Sequence, residues 1–401
     1  MSQSDPGGTR SAWRVPMRSR DSRQAHRPAT PLELLFDLTF VVAVALLASE
    51  LAHSIAEDHA AEGLLGYLMV FFAIWWAWMN FTWFASAYDT DDVAYRLLTM
   101  VQMGGVLVLA AGVPAAFESQ SFGVVTLGYV IMRVAMVAQW LRAARGDVET
   151  RPACVRYAAG TAAVQVCWVL RLLLPAPWGF AGFFVLAAAD LLVPLWAERL
   201  QGTAWHPHHI AERYGLFTII VLGECVLAAT TAVQGAFTEG GASLDLVVLG
   251  AGALMLLFGV WWMYFLKPAG SGLEQRRHLS FVWGYGHYAV FAALAALGAG
   301  LEVAAEALTH HIDASPVLVA YAVAVPTAVF LVLVWALHAP LSDPPGRHGV
   351  AILLAAVTTL AIAALTTVGL PLPWVVLLIV VPVAALVAVG VTDQHRRAIA
   401  A

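Results

Sequence analysis

Asp37, Arg133, Asp190, Glu224 and His287 carry charge or titrate inside stretches of sequence that are otherwise almost wholly apolar, and Glu33 stands one helical turn before Asp37. In a hydrocarbon solvent an Asp or Arg at mid-helix costs about 2.5–3.5 kcal/mol, so such groups turn inward toward a partner or toward a path for ions. A lone carboxylate in low dielectric can take up and release a proton near neutral pH, which makes Glu224 and Asp37 candidate proton or small-cation sites. Glu224 and Arg133 each lie about 16 Å from the start of their helices at 1.5 Å per residue, so they also match as a buried ion pair that locks two helices. Both readings stay open. Asp190 and His287 fall closer to the side of the N-terminus. A lone helix histidine is more often a hydrogen-bonded core residue than a ligand, and Gly284 and Gly286 beside His287 read as close helix packing.

Other polar groups have local explanations. In "TPLE", Thr30, Pro31 and Glu33 form the pattern of a capping box, whereas Asp37 is roughly 9 Å into the helix, too far for any cap. In "YDTDDVAYR", Asp91 or Asp92 can cap the next helix, and Asp92 can pair with Arg96 one turn on. Together with Glu33, and Asp37 below it, Asp89, Asp91 and Asp92 are expected to form an acidic vestibule that attracts cations. "HPHHIAER" holds three histidines and Glu212 but no complete ligand set, so no metal is expected. No nucleophile elbow, zinc-protease helix, phosphate loop or nucleotide fingerprint is present, which leaves no candidate catalytic residue and no cofactor. Cys154, Cys167 and Cys225 sit in apolar runs without a second thiol at metal or redox spacing and read as small core residues.

The elements that must hold these groups follow from composition. The chain is 61% apolar and 12% charged, with a net charge of −5, which indicates an integral membrane protein and leaves no basic surface for nucleic acid. Spans need about 20 mostly apolar residues. Twelve follow one another, approximately 31–52, 64–87, 97–117, 121–142, 153–174, 178–197, 213–234, 243–266, 278–301, 315–337, 349–369 and 372–392. The fold class is therefore an all-α polytopic bundle, with the bundle over 29–393, an Arg-rich disordered tail at 1–28 and a short tail at 394–401. Of the 21 Lys and Arg residues, all but Arg133 and Arg171 fall at ends and loops on the side of the N-terminus. The opposite loops carry Glu57, Asp58, Glu62, Glu118, Glu239, Asp245 and Asp313, so both termini are expected in the cytoplasm. Membrane lipid is the expected surrounding partner.

A fainter pattern suggests duplication. "WWAWMNF" near the end of span 2 resembles "WWMYF" at the end of span 8, and "RLLT" resembles "RHLS" at the heads of spans 3 and 9. These give parallel halves at 31–197 and 213–392, related about an axis along the membrane normal. The competing explanation is an interfacial belt of tryptophan, which recurs in unrelated spans.

The blocks "PLELLFDLTFVVAVALLASELAH", "WWAWMNFTWFASAYDTDD", "ERYGLFTIIVLGECVLA", "WWMYF" and "WGYGHYAVFAALAALGAGLE" resemble the signature blocks of the bacterial low temperature requirement A family, over about residues 28–305. The resemblance implies a multi-span inner-membrane protein associated with growth in the cold, without implying a particular reaction. It places Glu33, Asp37, Asp89, Asp91, Asp92, Glu212, Arg213, Glu224, His287 and Glu302 in family blocks. Cys225 departs from it, standing where a serine is expected. Twelve spans with acids at two depths fit a secondary transporter or ion-coupled permease, with Glu224 and Asp37 carrying charge and Arg133 as counter-ion. The alternatives are a non-transporting assembly or envelope-maintenance factor, in which the charges only pin helices, and a lipid-acting intramembrane enzyme at the Asp89 to Asp92 face.

Overall fold

The computed structural model describes residues 13–21, 24, 27–199, 201–238, 243–309, 312–341 and 348–400, and every regular element among them is a helix. In chain order the α-helices are α1 (Pro31–Ala56), α2 (Ala60–Tyr88), α3 (Val93–Ala111), α4 (Val113–Glu118), α5 (Gly123–Gly146), α6 (Arg151–Arg171) and α7 (Ala176–Ala197). They continue with α8 (Pro207–Thr238), α9 (Leu244–Phe265), α10 (Gly270–Gln275), α11 (Ser280–Thr309), α12 (Pro316–His338), α13 (Gly349–Ala363) and α14 (Leu372–Ala400). Their starts are written locally. Thr30 caps α1 in a full capping box, Asp92 caps α3 and Ser315 caps α12, while proline opens α1 and α12, where its missing N–H costs nothing. Gly112 and Pro114 break the expected third span, so its last turns become the separate helix α4.

Eleven helices among the described residues are long and apolar enough to cross a membrane. The 32-residue α8 is not among these eleven, but it is long enough for a further crossing, and its first turn packs His208 against Gly270, just beyond the end of α9, so α8 and α9 run as an antiparallel pair. The sequence-derived count of roughly twelve spans thus describes the bundle. α11 is the most enclosed helix, followed by α2, and α11 packs on α1, α8 and α12. α1 shows the sorting that a bilayer imposes. Phe36, Phe40, Ala43 and Leu47 face the interior, while Leu34, Leu38, Val42 and Leu46 form an exposed stripe one turn apart, suited to lipid.

The two tryptophan motifs that suggested duplication face different surroundings. Trp75, Trp76 and Trp78 of α2 are buried, with Trp78 stacked on Phe217 at 4.3 Å and edge-on to Phe291 at 5.7 Å, whereas Trp261 and Trp262 of α9 are exposed. The belt explanation therefore suits α9, and the α2 motif is core.

The expectation of a disordered tail through residue 28 is corrected where the segment is described. Residues 13–21 lie extended along one end of the bundle, held by backbone bonds from Val15 to Asp92 (2.7 Å), Ser19 to Asp147 (2.9 Å) and Arg20 to the Ala87 carbonyl (2.9 Å). Met17 is buried against Gly146. The segment is short of apolar residues, but its amides find acceptors at helix ends, the Asp92 and Asp147 carboxylates and the Ala87 carbonyl. Residues 1–12 and 394–401 are a different matter: the first stretch lies outside the described residues, and α14 continues through the second as far as Ala400.

α3 and α5 touch backbone to backbone through Gly105 and Gly128, where a Cβ on Gly128 would meet Leu109 N at 2.3 Å and the Gly105 carbonyl oxygen at 2.5 Å. Small residues permit such approaches between membrane helices. Gly128→Ala is expected to cost about 1–3 kcal/mol through overpacking, read as a lower thermal midpoint in detergent. Gly104→Ala, with nothing within 4 Å of the new methyl, is expected to leave the midpoint unchanged or raised.

Candidate functional site

Two groups of buried charge are built by the helices. The first joins the start of α1 to α2, α8 and the N-terminal segment. Arg213, one turn into α8, grips Asp37 bidentately, Nε to Oδ2 at 3.0 Å and one terminal nitrogen to Oδ1 at 2.6 Å. Its other terminal nitrogen lies 3.0 Å from Glu33 Oε1. Trp78 donates to Asp37 at 2.7 Å, His209 stands 3.1 Å from Glu33, and Arg27 donates to the Ser86 and Ala85 carbonyls at the end of α2. Glu33, Asp37, His209 and Arg213 are all fully buried. Two carboxylates against Arg213 and Arg27 make the group neutral, and the bidentate fork is the geometry that holds a charge pair without water. Asp37 thus faces a protein partner and not an aqueous route.

The acidic vestibule is corrected for the same reason. Glu33 is sealed in this group while closing the capping box with Thr30. Asp92 is buried as the α3 cap and receives Arg142 at 2.6 Å, so its partner is Arg142 and not Arg96. Asp91 takes Arg96 bidentately at 2.7 and 2.8 Å and is the exposed member. Asp89 lies nearly buried, 3.8 Å from Arg20 and 4.0 Å from Arg27. Burial, aided by the negative charge of Glu33, pushes the Asp89 carboxyl up to about 6. Glu33 and Asp89 share Arg27, Asp92 takes Arg142 and Asp91 takes Arg96, so the four carboxylates are tied to arginines and amides and do not form one open acidic bowl.

The remaining candidates separate. His287 is fully buried, with Nδ1 donating to the Trp283 carbonyl at 2.7 Å and Nε2 accepting from the Tyr264 hydroxyl at 3.1 Å, so both nitrogens are occupied by the core. In the histidine tract, His206 meets the Gln24 carbonyl at 2.8 Å and exposed His208 meets Glu274 at 3.3 Å, while His209 serves the ion group. Glu224 belongs to α8, and its side chain lies outside the described residues.

The second group contains Arg133 and Asp190. Trp168 donates to Asp190 Oδ2 at 2.8 Å, the Tyr129 hydroxyl donates to the same oxygen at 3.1 Å, and Arg133 reaches Oδ1 at 3.4 Å while also bonding Tyr129. Arg133 therefore has Asp190 as its described carboxylate partner, while the expected pairing with Glu224 falls on a side chain outside the described residues. Tyr129 and Arg133 are one turn apart on α5, which lets one helix face supply both donors. Unlike the first group, this one borders open space. Tyr129 and Trp168 line a cavity of about 30 Å³, room for one water, with Phe72, Phe122, Phe183 and Arg171. Met69, Phe122 and Arg171 are shared with a cleft of about 700 Å³ that opens between the far ends of α1, α2, α6 and α7, lined by Glu50, Glu57, Glu62 and Glu118. Gln165, one turn before Trp168, is buried with neither amide atom bonded among the described residues.

The family model described as bacterial low temperature requirement A protein matches residues 28–384. The chain belongs to the bacterial low temperature requirement A family. The match starts two residues before the Thr30 cap and runs past the region covered by the sequence blocks, so both ion groups apart from Arg27 lie inside the family's span. A relative from Rhizobium meliloti (strain 1021), an uncharacterised protein, is 26% identical over 276 residues, or 64% of each chain. This member of the family therefore matches just under two thirds of that relative's length.

In the sequence, Arg213 and Arg27 read as markers of orientation and His209 as part of a histidine tract, so their role as partners of Glu33 and Asp37 was not legible. The spacing of His209 and Arg213, four apart at a helix start, is the signal that marks a shared inward face. Removing Arg213 leaves Asp37 buried without its cation and Glu33 with Arg27 alone, at 3.8 Å, a change that typically costs about 3–5 kcal/mol. Arg213→Ala is expected to accumulate poorly in membranes, and adding Asp37→Asn to it is expected to recover part of the loss. For Asp89, the folded carboxyl keeps its proton to about pH 6, well above its ordinary value of 3.8. The native state thus binds more protons across that window, and this group's contribution to stability falls as pH rises through it. Thermal midpoints taken from pH 4 to 7 are expected to lose this component in Asp89→Asn.

Proposed function

We propose that the chain is a secondary transporter of the bacterial inner membrane with both termini in the cytoplasm, and that its solute site is the Arg133 and Asp190 centre. The observation that carries the reading is continuity. An acidic cleft on the face away from the N-terminal segment narrows at Met69, Phe122 and Arg171 into an aromatic cavity, whose inner walls, Tyr129 and Trp168, hold Asp190. Lys and Arg residues at helix ends on the other face support the cytoplasmic assignment of the termini. There the Glu33, Asp37 and Arg213 group supplies the closed seal that alternating access requires when the opposite side is open.

Part of the helix-neighbour order recurs between the two proposed six-span halves, although the close packing of α9 on α14 has no counterpart between α2 and α7. α1 packs on α2 and α3, α3 on α5, α5 on α6 and α6 on α7. In the same order α8 packs on α9 and α11, α11 on α12, α12 on α13 and α13 on α14. Asp37 and Arg213 lie on the leading helices of the two units, where relative movement would part them.

One observation favours the rival from a different class, a non-transporting assembly or envelope factor: the Asp37 and Arg213 bridge is dry, as a helix pin would be. The lipid-acting enzyme is not favoured, since Arg96 and Arg142 already occupy Asp91 and Asp92.

Access to the cavity separates the two readings without a known solute. In a background with Cys154, Cys167 and Cys225 changed to serine, Thr126→Cys places a thiol on the small cavity. A membrane-impermeant, positively charged methanethiosulfonate is expected to modify it in both right-side-out and inside-out vesicles, because each face opens in turn. Gln120→Cys at the cleft mouth is expected to react from one side alone. Reaction of Thr126→Cys from the cleft side alone would establish the non-transporting reading.

A further inference from the structure

Arg171, the last residue of α6, is a buried cation with no carboxylate at ion-pair distance among the described residues. Three aromatic rings hold it instead. Its guanidinium carbon lies 5.4 Å from the centre of Phe122, 5.6 Å from Trp168 and 5.4 Å from Phe183, and Nε donates to the Gly179 carbonyl at 2.6 Å. Rings within about 6 Å of a cation attract it through their quadrupoles, and aromatic cages of this kind recognise organic cations.

We propose that Arg171 is a tethered occupant of a cage for an organic cation of the guanidinium or alkylammonium class, which enters by displacing it. This deepens the reading of the cleft as the solute's way in, and rests on it. Four carboxylates, Glu50, Glu57, Glu62 and Glu118, stand on the cleft wall against the single charge of Arg171, so the mouth concentrates cations and repels anions. Displacement moves Arg171 outward into a space of about 700 Å³ beside those carboxylates, so the cage exchanges one positive charge for another. The incoming cation then rests on Trp168, whose indole N–H holds Asp190. Because one ring contacts the cation and orients the buried carboxylate, occupancy of the cage is linked to the centre below. A small inorganic ion has no comparable use for three rings, which sets the solute class.

Calorimetric titration of the full chain in lipid nanodiscs tests this, with millimolar guanidinium chloride and tetramethylammonium chloride as probes and sodium chloride at equal ionic strength as control. Saturable binding of both organic cations, and none of sodium, is expected. Arg171→Ala vacates the cage and is expected to tighten their binding about tenfold, whereas Phe122→Ala removes one wall and is expected to weaken it about tenfold. Cation affinities unchanged in both variants overturn the proposal. So does binding of sodium acetate that Arg171→Ala abolishes, since Arg171 would then be an anion's partner. If Arg171→Ala does not yield a monodisperse protein, Phe122→Ala, at a partly exposed position, decides. Organic-cation binding with Thr126→Cys reactive from one face keeps the cage and removes transport. Reactivity from both faces with no organic-cation binding does the reverse.

Discussion

Charge inside hydrocarbon has to be matched where it stands, and the architecture of this bundle follows from that constraint. Glu33 and Asp37 enter the bilayer region at the head of α1, so they require cations at the same depth, which Arg213 of α8 supplies through a bidentate fork. That requirement fixes α1 beside α8 and leaves the central place to α11, which packs on both. It also explains why the N-terminal segment is ordered where it is described. Arg27 completes the neutral set while its guanidinium satisfies carbonyls that end α2, so an otherwise polar stretch is tied to the bundle by groups that the helices cannot pair for themselves.

The same constraint, met a second time, gives a different kind of site. Around Asp37 the donors are one guanidinium and one indole, and the surrounding side chains leave no exposure. Around Asp190 the donors are an indole, a phenol and an arginine shared with that phenol, and two of these three also form cavity walls. A charge pair whose ligands are cavity walls can respond to what fills the cavity, whereas one enclosed by packing responds to movement of the helices. On the proposed transport reading the two groups suit different tasks, the first holding a face shut and the second meeting the solute.

Much of the fold was legible in the sequence because hydrocarbon thickness sets helix length and apolar runs record it. Thr30, Pro31 and Glu33 likewise declared their cap through local spacing. The partners of charges were less legible. Depth gave no hint that Asp190 meets Arg133, because the contact runs through a long guanidinium and a Tyr129 bridge, and rotation about the helix axis decides a contact that depth alone cannot. Asp89, Asp91 and Asp92 were grouped by adjacency, yet three neighbouring residues leaving a helix end point in different directions, here toward Arg20 and Arg27, toward Arg96 and toward Arg142. The tryptophans of α2 and α9 share letters while facing core and exterior respectively, which composition does not distinguish.

A dry ion pair on the sealed face is compatible with movement once its magnitude is considered. Loss of one partner from a buried pair costs about 3–5 kcal/mol, and separation of an intact pair with water entering costs less, so this range bounds the penalty from above. At 1.4 kcal/mol per tenfold, a bound of that size corresponds to an open population no smaller than roughly 10⁻⁴ to 10⁻² of the closed one. Under the proposed transport function, a solute that binds the open form a few hundredfold more tightly shifts such a balance substantially, with Asp37, Arg213 and Glu33 as a bias toward the closed state. Pairing between α1 and α8 is where such a bias has leverage, because a small rotation of one helix against the other parts the fork and a small counter-rotation restores it.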